Sequence, residues 1–159
     1  MKWQGTIVAI FIAPTAGAPM ISNPETTAIT GRGLAGDRYA AGDGFYSWAV
    51  GPLREVSLIE EEVLQRVWHD HNLDLAPGLH RRNLVTRGVP LGHLIGKAFR
   101  VGEALFRGVE ICEPCRHLID VTGVRGILSP LIHRGGLHAE ILQGETIRID
   151  DTVFPLEEH

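Results

Sequence analysis

Short apolar runs rich in β-branched residues dominate the chain, and most are bounded by Gly, Pro, Asn or Asp. They predict strands over residues 5–13, 26–30, 54–58, 83–86, 98–101, 104–107, 109–112, 139–143 and 146–149. Gly102-Glu103 and Gly144-Glu145 separate consecutive runs by two residues, the length of a tight hairpin turn. Only one helical stripe is sustained. Ile59, Val63, Leu64, Val67 and Trp68 recur at three- and four-residue spacing and predict a helix over 59–71. Glu60, Glu61 and Glu62 fill its first turn, where the helix dipole favours carboxylates, and Ser57 is a candidate cap. Shorter helical turns are expected at 91–95 and 127–133. Many strands beside one substantial helix predict a mainly β fold, a β-barrel decorated by one long and a few short helices.

Composition narrows the function classes. With 159 residues the chain is expected to form a single domain over 1–159, large enough for a core. Its 19 glycines and 9 prolines supply turns. A net charge of -4 and a pI near 6.0 provide no basic field, so no nucleic-acid partner is expected. The apolar run at 7–13 follows Lys2 but is too short, and lacks the cleavage pattern, for a secretory leader. No stretch approaches the roughly 20 apolar residues that span a bilayer, so no membrane association is expected. A cytoplasmic location follows as the expectation, and thiols stay reduced there.

Three polar clusters are candidates for chemistry. The first is Gly31-Arg32-Gly33-Leu34-Ala35-Gly36-Asp37-Arg38-Tyr39, whose glycines permit close backbone approach while Asp37 and Arg38 offer an acceptor and a planar donor. Its glycine spacing is not a dinucleotide fingerprint, and an Asp–Arg pair bracing a turn is the plain alternative. The second is His80-Arg81-Arg82-Asn83 followed by Thr86-Arg87-Gly88. Guanidinium donors match phosphate oxygens in pairs, although adjacent arginines on an extended segment point to opposite sides.

The third cluster, Cys112-Glu113-Pro114-Cys115-Arg116-His117, holds the chain's only two cysteines. Structural zinc needs four ligands, and no second cysteine pair exists; His117, His133 and His138 have no recurring ligand spacing. A dithiol of the thioredoxin kind is suggested by Pro114 but not by the surrounding pattern. A single working thiolate beside Arg116 and His117, and a pair of inert thiols, remain open too.

The order and spacing of these clusters resemble the MOSC family, domains related to the C-terminal part of molybdenum cofactor sulfurase. The resemblance runs through Gly33-Leu34-Ala35-Gly36-Asp37-Arg38-Tyr39, Arg54-Glu55-Val56-Ser57-Leu58-Ile59-Glu60 and Arg82-Asn83-Leu84-Val85-Thr86-Arg87-Gly88. It continues with Leu94-Ile95-Gly96-Lys97, Val101-Gly102, Cys112-Glu113-Pro114-Cys115 and Arg134-Gly135-Gly136-Leu137-His138-Ala139, and the chain looks like the short, stand-alone bacterial type.

The resemblance implies a β-barrel and a site built on one cysteine that ligates molybdenum in a pterin cofactor or carries sulfur as a persulfide. That role maps onto Cys115, with Cys112 as an auxiliary or resolving thiol. Asp37, Arg38, Arg82, Asn83 and Thr86 are expected to converge on one cofactor pocket, Arg82 on the phosphate and Asp37 and Asn83 orienting the ligand or bracing loops. Two functions are implied: reduction of small N-hydroxylated compounds by bound molybdenum cofactor (molybdopterin), or sulfur delivery from Cys115 to an acceptor. No pyridoxal phosphate is expected in this chain. An electron-transfer protein or an external sulfur donor is the expected partner, because no flavin, iron–sulfur or nicotinamide motif is present.

Overall fold

A computed structural model describes residues 2–41 and 55–156. In chain order the strands are β1 (Gly5–Ile12), β2 (Ile21–Ser22), β3 (Glu25–Ile29), β4 (Gly33–Leu34), β5 (Val56–Glu60) and β6 (Leu84–Arg87). They continue as β7 (Ala98–Val101), β8 (Ala104–Ile111), β9 (Leu137–Gln143), β10 (Thr146–Arg148) and β11 (Thr152–Pro155). The α-helices are α1 (Glu61–His71), α2 (Arg116–Thr122) and α3 (Leu128–Leu131).

Hydrogen-bonded strands run in the order β11-β7-β8-β9-β5-β6-β1, and β1 pairs again with β11, which closes a seven-stranded barrel. A small sheet, β10-β3-β4, accompanies it. Closure removes the open edges that an eight-stranded sheet would otherwise present. One barrel pair, β5–β6, is parallel, with Leu58 opposite Leu84 and Glu60 opposite Thr86. Parallel neighbours need a crossover connection, and α1 supplies it.

The barrel interior is packed by Ile7, Ile10, Leu58, Leu84, Phe99 and Phe106, with the two phenylalanine rings edge to face at 5.9 Å. A second cluster lies where Leu64 and Val67 of α1 meet Phe11, Ile59, Val85, Leu118, Ile127 and Leu131. Burial of each such side chain contributes about 1.5–3 kcal/mol. The mainly β barrel with added helices is as the hydrophobic pattern predicts.

Several boundaries differ from expectation, each for a tertiary reason. Ile59 and Glu60 belong to β5 because Ile59 pairs with Val85 in the parallel ladder. The helix therefore starts at Glu61, and no side chain caps it. Ser57 sits within the strand and spends its hydroxyl on Asn83. Glu61 and Glu62 do lie in the first turn, where they bind Arg87 and the Gly88 N–H. Residues 104–111 form one strand with a bulge near Gly108 rather than two strands. Gly102-Glu103 makes the expected hairpin, with Val101 opposite Ala104. Gly144-Glu145 does not: Gly144 lies so close to the Ala28 carbonyl that a Cβ has no room, and β10 pairs with β3. The strand expected over 54–58 begins at Arg54, which lies outside the described residues.

Candidate functional site

The Gly-Asp-Arg cluster is locked from beneath by Asp37. Its carboxylate is fully buried and accepts from the Ala13 N–H at 3.0 Å, the Tyr39 N–H at 3.3 Å and Arg38 Nη1 at 3.1 Å. The Arg38 N–H donates to the Ala13 carbonyl at 2.7 Å, so the loop is sewn to the chain just after β1. Arg38 also stacks its guanidinium on the Tyr39 ring at 4.7 Å. Asp37 thus braces the loop while Arg38 turns outward into a cavity.

The second cluster departs from the extended segment expected of it. Arg81 has φ 63°, in the left-handed region, and the preceding Gly78 has φ 102°. That bend puts Arg81 and Arg82 on the same cavity instead of on opposite sides. A left-handed bulky residue costs energy and persists only where its surroundings hold it. Here the Arg81 guanidinium donates to the Ala18 carbonyl. Burial, and then the like charge of Arg38, lower the Arg81 pKa to about 10.

His80 anchors the bend. Its Nδ1 accepts from the Arg82 N–H at 2.9 Å, and its ring stands edge-on to Phe11 at 5.2 Å. Burial, reinforced by Arg82 and Arg81, lowers its pKa to about 3, so it is neutral at ordinary pH. The unfolded chain binds a proton at His80 near the reference value of about 6.5, whereas the folded chain resists it down to about 3. Its contribution to stability is therefore complete above pH 6.5 and is lost as pH falls toward 3, at up to about 1.4 kcal/mol per unit. Denaturant midpoints at pH 7, 6 and 5 are expected to fall more steeply for the wild type than for His80→Asn, which keeps an acceptor but cannot ionise. Equal slopes would remove His80 from this role.

Asn83 ties three segments together: Oδ1 accepts from the Ser57 N–H at 3.1 Å and Nδ2 donates to the Phe11 carbonyl at 3.1 Å. Thr86 is fully buried within β6, two positions on from Leu84 of the barrel interior, and does not line the cavity. Its Oγ1 has no hydrogen-bond partner.

The cysteine segment leaves β8 at Ile111 and enters α2 at Arg116. Cys112 is buried and Cys115 is exposed, and both are thiols. Burial pushes the Cys112 thiol up, against the pull of Arg82, so it is held protonated. The Cys112 N–H donates to the Gly136 carbonyl at 2.7 Å. Glu113 receives the His133 N–H at 2.6 Å and faces His133 Nδ1 at 3.0 Å. Among the described residues no cluster of three or more His, Cys, Asp or Glu side chains could hold a metal ion, so the structure does not gather His117, His133 and His138.

These segments enclose a cavity of about 570 Å³, lined by Arg38, Tyr39, Arg81, Arg82, Cys112, Glu113, Cys115, His117 and His138 among others. Of the residues expected at the site, Arg38, Arg82, Cys112 and Cys115 line it. Asp37 and Asn83 support it from behind, and Thr86 is elsewhere. Arg81 belongs to the second cluster but is not among the residues expected at the site, since only the left-handed backbone turns it inward. Burial, then Arg81 and Arg38, lower the His117 pKa. Arg38 and Arg81 on the same cavity as an exposed thiol suit a ligand with an anionic end and a soft, thiophilic end.

With that geometry in view, the sequence model of the MOSC domain matches residues 46–154, more than half of the chain, and the chain belongs to the MOSC domain family. This family is associated with molybdenum cofactor binding. No curated protein matches the chain. Among solved structures it is similar to the YUAD protein from Bacillus subtilis at 15% identity and TM-score 0.77, covering 99% of each chain. It is also similar to YiiM from Escherichia coli at 20% identity and TM-score 0.64, covering 100% of this chain and 71% of that one. YiiM from Geobacillus stearothermophilus matches at 12% identity and TM-score 0.67, over 96% and 75%. At such identities the likeness is one of fold. No helix among the described residues is long and apolar enough to cross a membrane.

Proposed function

We propose that the chain holds molybdenum cofactor in this cavity, with Cys115 Sγ as the metal ligand, and reduces small N-hydroxylated compounds. The observation that carries the reading is the meeting of Arg38, Arg81 and Arg82 with the exposed Cys115 around one cavity. Arg38 and Arg81 suit the cofactor's phosphate because each brings a planar donor pair and their mutual repulsion is relieved by an anion between them. Asp37 and Asn83 act at one remove, holding the loops on which the arginines sit. When bound, the cofactor supplies two-electron oxygen-atom removal, which no side chain here performs. Conversion of N–OH to N–H consumes two electrons and two protons and releases water, so a separate electron-transfer protein is the partner this reading requires. A cytoplasmic setting keeps both thiols reduced.

Exposure of Cys115 at the cavity edge also favours a second reading, in which it carries sulfur. Its thiolate attacks the terminal sulfur of a donor persulfide, a persulfide forms on Cys115, and the donor leaves as a thiol. The test is to purify the protein from a host that makes the cofactor and to measure molybdenum and pterin together. Both near one per chain are expected. Cyanide-labile sulfur on Cys115 with no pterin would favour the carrier. Neither would sink both readings.

A further inference from the structure

We infer that Arg82 is a positioning residue that clamps the cysteine segment shut, and that the anionic end of a ligand is left to Arg38 and Arg81. Arg82 Nε donates to the Gly135 carbonyl at 2.7 Å and Nη2 donates to the Cys112 carbonyl at 3.3 Å. These oxygens belong to different loops, one leaving β8 and one entering β9, so a single planar group bridges the two walls beside the thiols. Both bonds are buried, and the donor is charged. Turning the guanidinium toward a ligand strands two carbonyls in a low-dielectric place, where each unsatisfied acceptor is costly.

The surroundings are shaped for this bridge. At Gly135 a Cβ would collide with the Cys112 carbonyl, and would also stand 3.2 Å from Pro114 Cδ and 3.3 Å from Arg82 Nη2. Only a bare backbone lets the cysteine segment and the guanidinium lie this close. The Cys112 N–H bond to Gly136 and the Glu113 bond to His133 fasten the same two loops. The clamp keeps Cys112 covered while Cys115, beyond it, stays open. One consequence is that the selectivity between the two thiols depends on Arg82. Lysine cannot replace it, because an ammonium lacks the planar fork that reaches two carbonyls at once.

The inference rests on Cys115 being the working thiol, but its test uses protein free of cofactor, so the two readings fail separately. Native protein is treated with iodoacetamide and each cysteine's labelling is followed by peptide mass spectrometry. In the wild type Cys115 is expected to label at least about tenfold faster than Cys112, the factor by which one lost charge-assisted bond shifts such an opening. Arg82→Lys, which keeps the positive charge beside Cys112, is expected to bring Cys112 to a rate near that of Cys115, and Arg82→Met, which also removes the charge that favours the Cys112 thiolate, to raise it less. Wild-type selectivity retained in Arg82→Lys overturns the clamp. Should the variants not fold, a crystal structure of the wild type grown with inorganic phosphate decides. Nε and Nη2 still on the two carbonyls supports the proposal, and a guanidinium turned onto phosphate overturns it.

Discussion

Replacing Cys115 by serine is expected to abolish retention of molybdenum, or sulfur loading if the carrier reading holds, while Cys112→Ser keeps a substantial part of either. Serine preserves the size of the side chain and removes the soft sulfur, so the change tests ligand chemistry rather than packing. The asymmetry follows from placement. Cys115 is exposed on the cavity, whereas Cys112 is buried and its thiol is pushed toward the protonated form by that burial. Metal and pterin assays on the two purified variants, with cyanide-labile sulfur measured in parallel, provide the readout. Loss in Cys112→Ser alone would exchange the roles of the two cysteines. Equal loss in both, with a disulfide that responds to redox conditions, would restore the dithiol reading. If neither change mattered, the thiols would be structural.

Asp37→Ala is expected to be the most destabilising single change near the site, by about 3 kcal/mol or more, the cost of leaving one partner of a buried ion pair without the other. The carboxylate also satisfies the buried Ala13 N–H, which alanine leaves unpaired. A domain of this size loses roughly 2–4 °C of melting temperature per kcal/mol, so a fall of around 10 °C is expected. Asp37→Asn should fall less, because an amide oxygen still accepts from Ala13. Thermal melts of the three proteins check this. A melting temperature for Asp37→Ala within a degree or two of wild type would show that the Gly-Asp-Arg loop is held by other contacts.

The parts of the fold that hydrophobic period can express were legible. All nine strand expectations overlap strands of the barrel or the small sheet, counting the two that fuse into β8 and the one at 26–30 that corresponds to β3. The strand that closes the barrel was not legible. Thr152–Pro155 is four residues long and ends in proline, which argues against a central strand. It is tolerated because its pairing with β1 and β7 is brief. The helix α2 was missed for a similar reason, having only seven residues in which to show a period. At α1 the start was misplaced by two residues, since Ile59 suits a helical stripe and a buried strand equally.

The site shows the same division. From its sequence alone the chain could be assigned a mainly β barrel, an amphipathic helix, three polar clusters and a MOSC resemblance, because each depends on residue type and short-range spacing. Only the tertiary structure decided which members of those clusters meet. Arg81 reaches the cavity through a left-handed backbone that nothing in His80-Arg81-Arg82-Asn83 announces. Thr86 is carried away from it because alternation along β6 turns the side chain into the barrel. Arg82 meets Gly135 and Cys112, 53 and 30 residues distant, through strand pairing and a glycine bare enough to allow contact. Local pattern encodes which face of each segment is apolar. Where segments remote in sequence converge is set by ladder register and close packing, which exist only in the folded chain.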